Sequence, residues 1–320
     1  MKFVCIFLFV WYNASIGEID MKNTRKGLLV GFTKWQTTVA YPMFKKFFNE
    51  YNIDLDFQKI DEYVLSVERN KINLDLKQYD FCIQLVKDQY LSSIFEGLNI
   101  PCFNKHSSMM SSDDKFLTYV KLYSHDIPLP KTLSGNTDFD GLQISDYNRS
   151  NIFIEKVENE LKYPFVAKPT FGYGGRGVKT IKNRQELEEL FVEQGQNAYI
   201  FQEFVYDNVG NNIRVVVVGG KAIYSVLRKD TVNLKDNTIG KDDEEKFSAT
   251  KEQIKIAEEV AKILKLDYCA IDFFDTIDKR PLVCEVNANP GGIEEYEKIT
   301  GINQAKELVK FIVSKVYKNL

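Results

Sequence analysis

IDFFDTIDKRPLVCEVNANPG, Ile271 to Gly291, reads as two apolar β runs around a polar turn, closed by a Pro-Gly stop. Asp272, Glu285 and Asn287 interrupt those runs with hard oxygen donors. Glu285 and Asn287 are two positions apart, so on one strand both side chains project to the same face. A neighbouring strand carrying Asp272 would complete an all-oxygen set suited to magnesium bridging nucleotide phosphates. The competing reading is an acidic strand end without a ligand. Asn287 weighs against it, because its carbonyl oxygen stands between two turn signals.

Upstream, VAKPTFGYGGRGVKTI, Val166 to Ile181, sets four glycines between apolar β-formers, with Lys168 just ahead of them. A strand on each side argues against a phosphate loop at a helix N-terminus, and no GK[ST] ending follows. Glycines let backbone N–H groups approach an anion closely, so Gly174, Gly175 and their neighbours suit a flap over phosphates. Taken alone, the loop also reads as a glycine-rich hairpin, and Arg176 as a solvated loop arginine. QEFV, Gln202 to Val205, ends another β run. Free backbone groups there can pair with an adenine edge, although the segment by itself also reads as a strand edge.

The chain around these stretches has 320 residues and is 44% hydrophobic, enough for two or three packed units. Its net charge of -3, with both signs interspersed, creates no long-range field toward nucleic acid or an acidic membrane. Cys5, Cys82, Cys102, Cys269 and Cys284 form no CxxC pair and have only His106 and His125 to help hold a soft metal. Structural zinc and a disulfide framework are excluded in favour of thiols in a reducing, cytoplasmic setting. MKFVCIFLFVWYNAS at the start is too short to span a bilayer; residues 1–20 read as a leader, a misassigned start or an added strand, and are expected to be dispensable for catalysis.

From Met21 to about residue 107, apolar runs alternate with amphipathic stretches, the pattern of a βαβ layer with a parallel sheet. SSDDKFLTYVKLYSHDI, with serines and aspartates at its start, opens the next unit as a helix. Residues from Pro128 to Lys162 are polar and weakly periodic, and read as loop. From Tyr163 the pattern is mostly antiparallel β, broken by KNRQELEELFVEQ and ATKEQIKIAEEVAKILKL; in the second, Ile254, Ala257, Ala261 and Leu264 share a helical face. The fold class is α/β, becoming α+β in the C-terminal part. The expected units are residues 21–107, residues 108–200 with the flap, and residues 201–320 with the metal site.

In this order the motifs resemble the ATP-grasp superfamily and, within it, the RimK-like carboxylate–amine ligases. The resemblance covers residues 111 to 316, and PLVCEVNANPGGIEEYEKITGI is its most specific part: the family carries a similar E-V-N-x-x-P-G, an acidic stretch and a T-G-I. It implies that Lys115 and Lys168 contact ATP phosphates, and that Gln202, Glu203 and Val205 form the adenine hinge. Asn212 falls where relatives place a ribose-binding aspartate. Lys235 and Asn237 in LKDNT stand for the family's Arg-x-Asn, with lysine lacking arginine's bidentate fork. Arg228 would face the transferring phosphoryl group. Asp272, Glu285 and Asn287 would hold two magnesium (or manganese) ions, with Glu285 bridging.

The implied reaction is ATP-dependent amide or peptide bond formation on amino-acid or peptide substrates, through an acyl phosphate. Catalysis is then mainly positioning and electrostatics. No nucleic-acid partner and no membrane span are expected, and a homo-oligomer remains open. One alternative is a D-alanine–D-alanine-type ligase, which would carry arginine where Ala270 stands, two before the first metal aspartate. Another is a non-catalytic ATP-binding protein.

Overall fold

The computed structural model describes residues 25–69, 71–135, 147–172, 174–194, 198–229, 232–233, 238–239 and 243–318. The N-terminal residues read above as leader or strand lie outside this set, as do Lys235 and Asn237.

Strands β1 (Lys26–Gly31), β2 (Asp54–Lys59), β3 (Phe81–Gln84) and β4 (Cys102–Phe103) form a parallel sheet in the order β2-β1-β3-β4. Both faces of β1 are covered, as parallel sheets require. Leu29 points toward α1 (Tyr41–Asn49) and the C-terminal helix, with Phe44, Phe48 and Ile312, while Leu28 and Val30 point toward Leu91 and Phe95 of α2 (Gln89–Gly97). Each such side chain contributes about 1.5–3 kcal/mol on burial.

The expected helix after this sheet is two helices, α3 (His106–Asp113) and α4 (Lys115–Leu122). Asp114 breaks them apart with an extended backbone, φ -82 and ψ 108, and its carboxylate accepts from the Leu117 N–H as N-cap. The break turns Lys115 into the first residue of a new helix.

The second sheet is antiparallel, in the order β5-β8-β6-β7: β5 (Thr132–Ser134), β6 (Phe165–Pro169), β7 (Lys179–Ile181) and β8 (Tyr199–Glu203). Two helices cover it, α5 (Tyr147–Glu160) and α6 (Arg184–Gln194). Helix α5 lies where the sequence read as loop. Its apolar signal is thin: Ile154, Val157 and Leu161 are buried at helical spacing among charged neighbours.

The third sheet holds β9 (Asn208–Val218), β10 (Lys221–Lys229), β11 (Asp243–Lys246), β12 (Tyr268–Thr276) and β13 (Val283–Asn287), all antiparallel, in the order β11-β10-β9-β12-β13. Helix α7 (Lys251–Ile263) closes one face with Ala257, Val260 and Ala261, while Ile254, expected inside, is 36% exposed. On the other face, α8 (Ile293–Thr300) and α9 (Gln304–Val316) cover one end only. The other end is left for polar side chains.

Candidate active site

That polar end follows from strand register. Arg214 on β9 lies opposite Asp272 on β12, and Asp272 lies opposite Glu285 on β13. One step along, Asn212 lies opposite Arg228 on β10, and Arg228 opposite Glu244 on β11. Opposed residues, and residues two apart, share a face. The intervening Ile213, Val215, Ile271 and Phe273 enter the core beneath α7. Ala270, opposite Asn287, is fully buried with Val216, Val226 and Tyr296 and marks where the face turns apolar. Ala270 is the position where a D-alanine-type ligase is expected to carry arginine.

Arg214 grips Asp272 with both ends of its fork, Nε to Oδ1 at 2.8 Å and Nη2 to Oδ2 at 2.7 Å. Its remaining nitrogen donates to the Tyr296 hydroxyl at 3.4 Å, and that hydroxyl donates to Glu244 at 2.8 Å. Arg228 completes the ring, 3.4 Å from Glu244 and 3.6 Å from Asp272. Two carboxylates and two guanidiniums thus alternate around a phenol. Burial works against the Arg214 charge, but the Asp272 carboxylate more than offsets it and holds the group protonated. Burial and the bond to Glu244 push the Tyr296 phenol up to about 12, against the pull of Arg214.

Lys115 and Lys168 approach the same strands from the second sheet and α4. The Lys115 ammonium donates to the Gly172 carbonyl at the flap base at 2.9 Å and lies 3.9 Å from the Glu285 carboxylate. Burial lowers its pKa, Glu285 opposes that, and the nearby Lys168 charge adds to it. Lys168 donates to Gln202 Oε1 at 2.7 Å and sits 5.8 Å from the Phe274 ring centre.

Gln202, expected in the adenine hinge, also supports Lys168 through its side chain. Its side chain is 1% exposed and is committed to Lys168, to the Tyr119 hydroxyl at 3.0 Å and to Thr132 Oγ1 at 2.9 Å. Tyr119 in turn donates to the Cys284 carbonyl at 2.8 Å, so the position of Lys168 is keyed to the strand that carries Glu285. Glu203 closes the ladder, its carboxylate accepting from the Lys131 N–H at 2.8 Å, and the backbone leaves the sheet before Val205. In the flap, Gly174 and Gly175 take left-handed φ values of 64 and 67 within the turn joining β6 and β7.

Sequence reasoning missed Arg214, Glu244 and Tyr296. The signal for Arg214 was a single charge ahead of four valines in IRVVVV, a position that burial makes costly without a partner. The partners come from strands far away in sequence.

The donor set suits a hard divalent cation. Asp272 and Glu285 are in direct register, the Glu285 side chain is 40% exposed and reachable, and Asp272 keeps lone pairs beyond those used by Arg214. Among the described residues no group of three or more His, Cys, Asp and Glu could hold a metal ion; Asn287, expected as the third donor, lies two positions from Glu285 on β13 and opposite Ala270. Its amide oxygen accepts from the Asn289 N–H at 2.9 Å, which fixes the side chain on the strand end.

Residues 112–312 match the RimK-like ATP-grasp domain. The chain belongs to the RimK-like ATP-grasp family. This family member is 32% identical over 200 residues to mouse N-acetylaspartylglutamate synthase A, an alignment covering 61% of the chain and 50% of the relative. The chain thus spans about half the length of that protein. It is 28% identical over 218 residues to the alpha-aminoadipate–LysW ligase LysX of Sulfurisphaera tokodaii, covering 66% of the chain and 70% of the relative. Among solved structures it resembles the D-alanine–D-alanine ligase of Bacillus anthracis, with a TM-score of 0.65 at 19% identity over 92% of the chain and 98% of that enzyme. At that identity the likeness concerns the fold. No helix among the described residues is long and apolar enough to cross a membrane.

Proposed function

We propose that this chain is an ATP-dependent ligase that joins a carboxylate to an amine through an acyl phosphate. The observation that carries this reading is the direct register of Asp272 with Glu285, flanked by Arg214 and Arg228 on one side and Lys115 on the other. A substrate carboxylate oxygen attacks the γ-phosphorus of ATP and ADP leaves. The amine nitrogen then attacks the acyl carbon, gives up a proton, and inorganic phosphate departs.

Lys115 and Lys168 bind the phosphates from the flap side, under Gly174 and Gly175. Gln202, Glu203 and Val205 form the hinge that faces the adenine, with the Gln202 side chain also holding Lys168 in place, and Asn212 takes the ribose. Arg228 faces the transferring group, and its guanidinium stabilises charge there. Lys235 and Asn237 belong to the substrate-recognition segment. Asp272, Glu285 and Asn287 would hold two magnesium or manganese ions, which supply charge neutralisation on the phosphates.

The substrates belong to the amino-acid and peptide or protein class, in line with relatives named for an acylated dipeptide product and for ligation of alpha-aminoadipate to LysW. Residues 21–107 and the segment around 229–241 set the choice among them. A need for ATP places the reaction in the cytoplasm. The test is ADP release with magnesium and a library of amino acids and peptides, with condensed products read by mass spectrometry. Glu285→Gln is expected to abolish ADP formation while the fold is kept, and near-normal turnover in that variant would sink the assignment.

A further inference from the structure

A second cleft, of about 500 Å³, opens at the far end of the third sheet. It is walled by the β9–β10 hairpin at Gly219 and Gly220, by α7, by α9 and by the loop that follows β4. Gly219 is five residues along β9 from Arg214, roughly 17 Å at the rise of a strand. The two sites are therefore separate.

Its lining is strongly basic in a chain of net charge -3. Six lysines line it, from the loop after β4, β10, α7, the α7–β12 connection and α9, against three carboxylates. Each carboxylate has a lysine of its own: Glu258 with Lys221 at 3.4 Å, Glu259 with Lys262 at 3.5 Å, and Asp267 with Lys315 at 3.9 Å. Lys105, Lys255 and Lys265 remain, with no ion pair to a carboxylate among the described residues. Ala261, Leu266 and Phe311 give the cleft an apolar floor. The lining thus carries three more ammonium groups than carboxylates, drawn from separate elements, and a bound anion would neutralise that excess.

We propose that this cleft binds a compact organic polyanion carrying two or more phosphate or carboxylate groups. The volume falls in the range of small-ligand sites, and the apolar floor with a cationic rim fits an organic body with charged ends. Binding ties Lys105, on the loop leaving the parallel sheet, to α7 at the back of the proposed catalytic sheet. Occupancy therefore stiffens the junction between the two sheets.

The test uses the full chain without magnesium, at matched ionic strength. Tripolyphosphate and citrate are titrated separately by calorimetry and by thermal shift, with a hexaglutamate peptide as a third probe. At least one small anion is expected to bind and raise the melting temperature. Lys255→Gln with Lys265→Asn, the latter suited to the left-handed backbone at φ 54, is expected to weaken it at least tenfold. Lys168→Ala, and Lys46→Gln with Lys156→Gln at exposed positions elsewhere, are expected to leave it unchanged. No binding by either small anion, binding lost on Lys168→Ala and kept in the cleft variant, or binding of hexaglutamate alone would each overturn the proposal. None of these readouts involves ATP turnover, so the ligase reading stands or falls separately.

Discussion

Arg214 and Lys115 both carry charge into partly dry surroundings, and their partners decide the outcome in opposite directions. Arg214 meets a carboxylate fork to fork, so removing it strands Asp272 in the interior beside Arg228 alone. Arg214→Met is expected to lower stability by about 3–5 kcal/mol in urea titration, the cost of breaking a buried pair. A loss under about 1 kcal/mol would show that Arg228 alone can hold Asp272. Lys115 has a carbonyl and a Glu285 carboxylate 3.9 Å away as partners, and burial wins. With its folded pKa below the ordinary 10.5, the unfolded chain binds more protons there. Its contribution to stability is therefore present above 10.5 and lost as pH falls through the lowered folded value. Lys115→Met is thus expected to keep or raise the melting temperature at pH 7, while nucleotide affinity falls roughly tenfold to a hundredfold. A lower melting temperature with unchanged nucleotide binding would assign Lys115 to the fold and not to the site. The shared strand of Glu285 and Asn287 was legible in sequence from their two-residue spacing. The arginine ring was not, since it is assembled by register between strands separated by long stretches of chain.

At the scale of elements, the strands of the third sheet announced themselves through β-branched runs, whereas α5 was hidden by its charged residues and by an apolar stripe only three residues deep. The break at Asp114 was equally hidden, because serine and aspartate serve a helix interior poorly and a cap well, and composition alone does not say which. The β9–β10 turn offers a cleaner test. Gly219 and Gly220 both have left-handed φ, 59 and 77, but a Cβ on Gly219 would sit 2.6 Å from the Phe311 ring, whereas one on Gly220 meets open space. Gly220→Ala is expected to cost about 1–2 kcal/mol from backbone strain alone. Gly219→Ala adds a clash with α9 and is expected to cost at least about 1 kcal/mol more in chemical denaturation. Equal losses would mean that α9 shifts to make room.

Across the whole molecule, a buried amide pins the seam between the parallel sheet and the third sheet, within the hydrophobic core they share. Asn104 is 1% exposed, donates to the Tyr268 and Ala288 carbonyls at 2.7 Å each, and accepts from the Asp267 and Tyr268 N–H groups at 2.6 and 3.1 Å. All four hydrogen-bonding sites of the side chain are used. Asn104→Leu would leave those backbone groups dry, at about 1–3 kcal/mol for each one stranded. It is expected to split a single thermal transition into two, read by calorimetry, and retention of one sharp transition would show that the hydrophobic contacts of α9 with α1 couple the sheets without it. The alternation of strands and helices foretold the parallel sheet, and the β-rich runs after Tyr163 the antiparallel one. The seam itself was invisible, because a lone asparagine after IPCF carries no periodic signal.

The same amide bears on how such chains recombine. A cassette swapped in ahead of Asn104 would bring a new parallel sheet yet inherit the old latch, since every hydrogen bond of that side chain is to backbone and none depends on the side chain at the partner position. A crossover placed a few residues later would lose the latch whenever the incoming chain lacks an asparagine there. Chimeras of this protein should therefore tolerate junctions before residue 104 and fail at junctions soon after it.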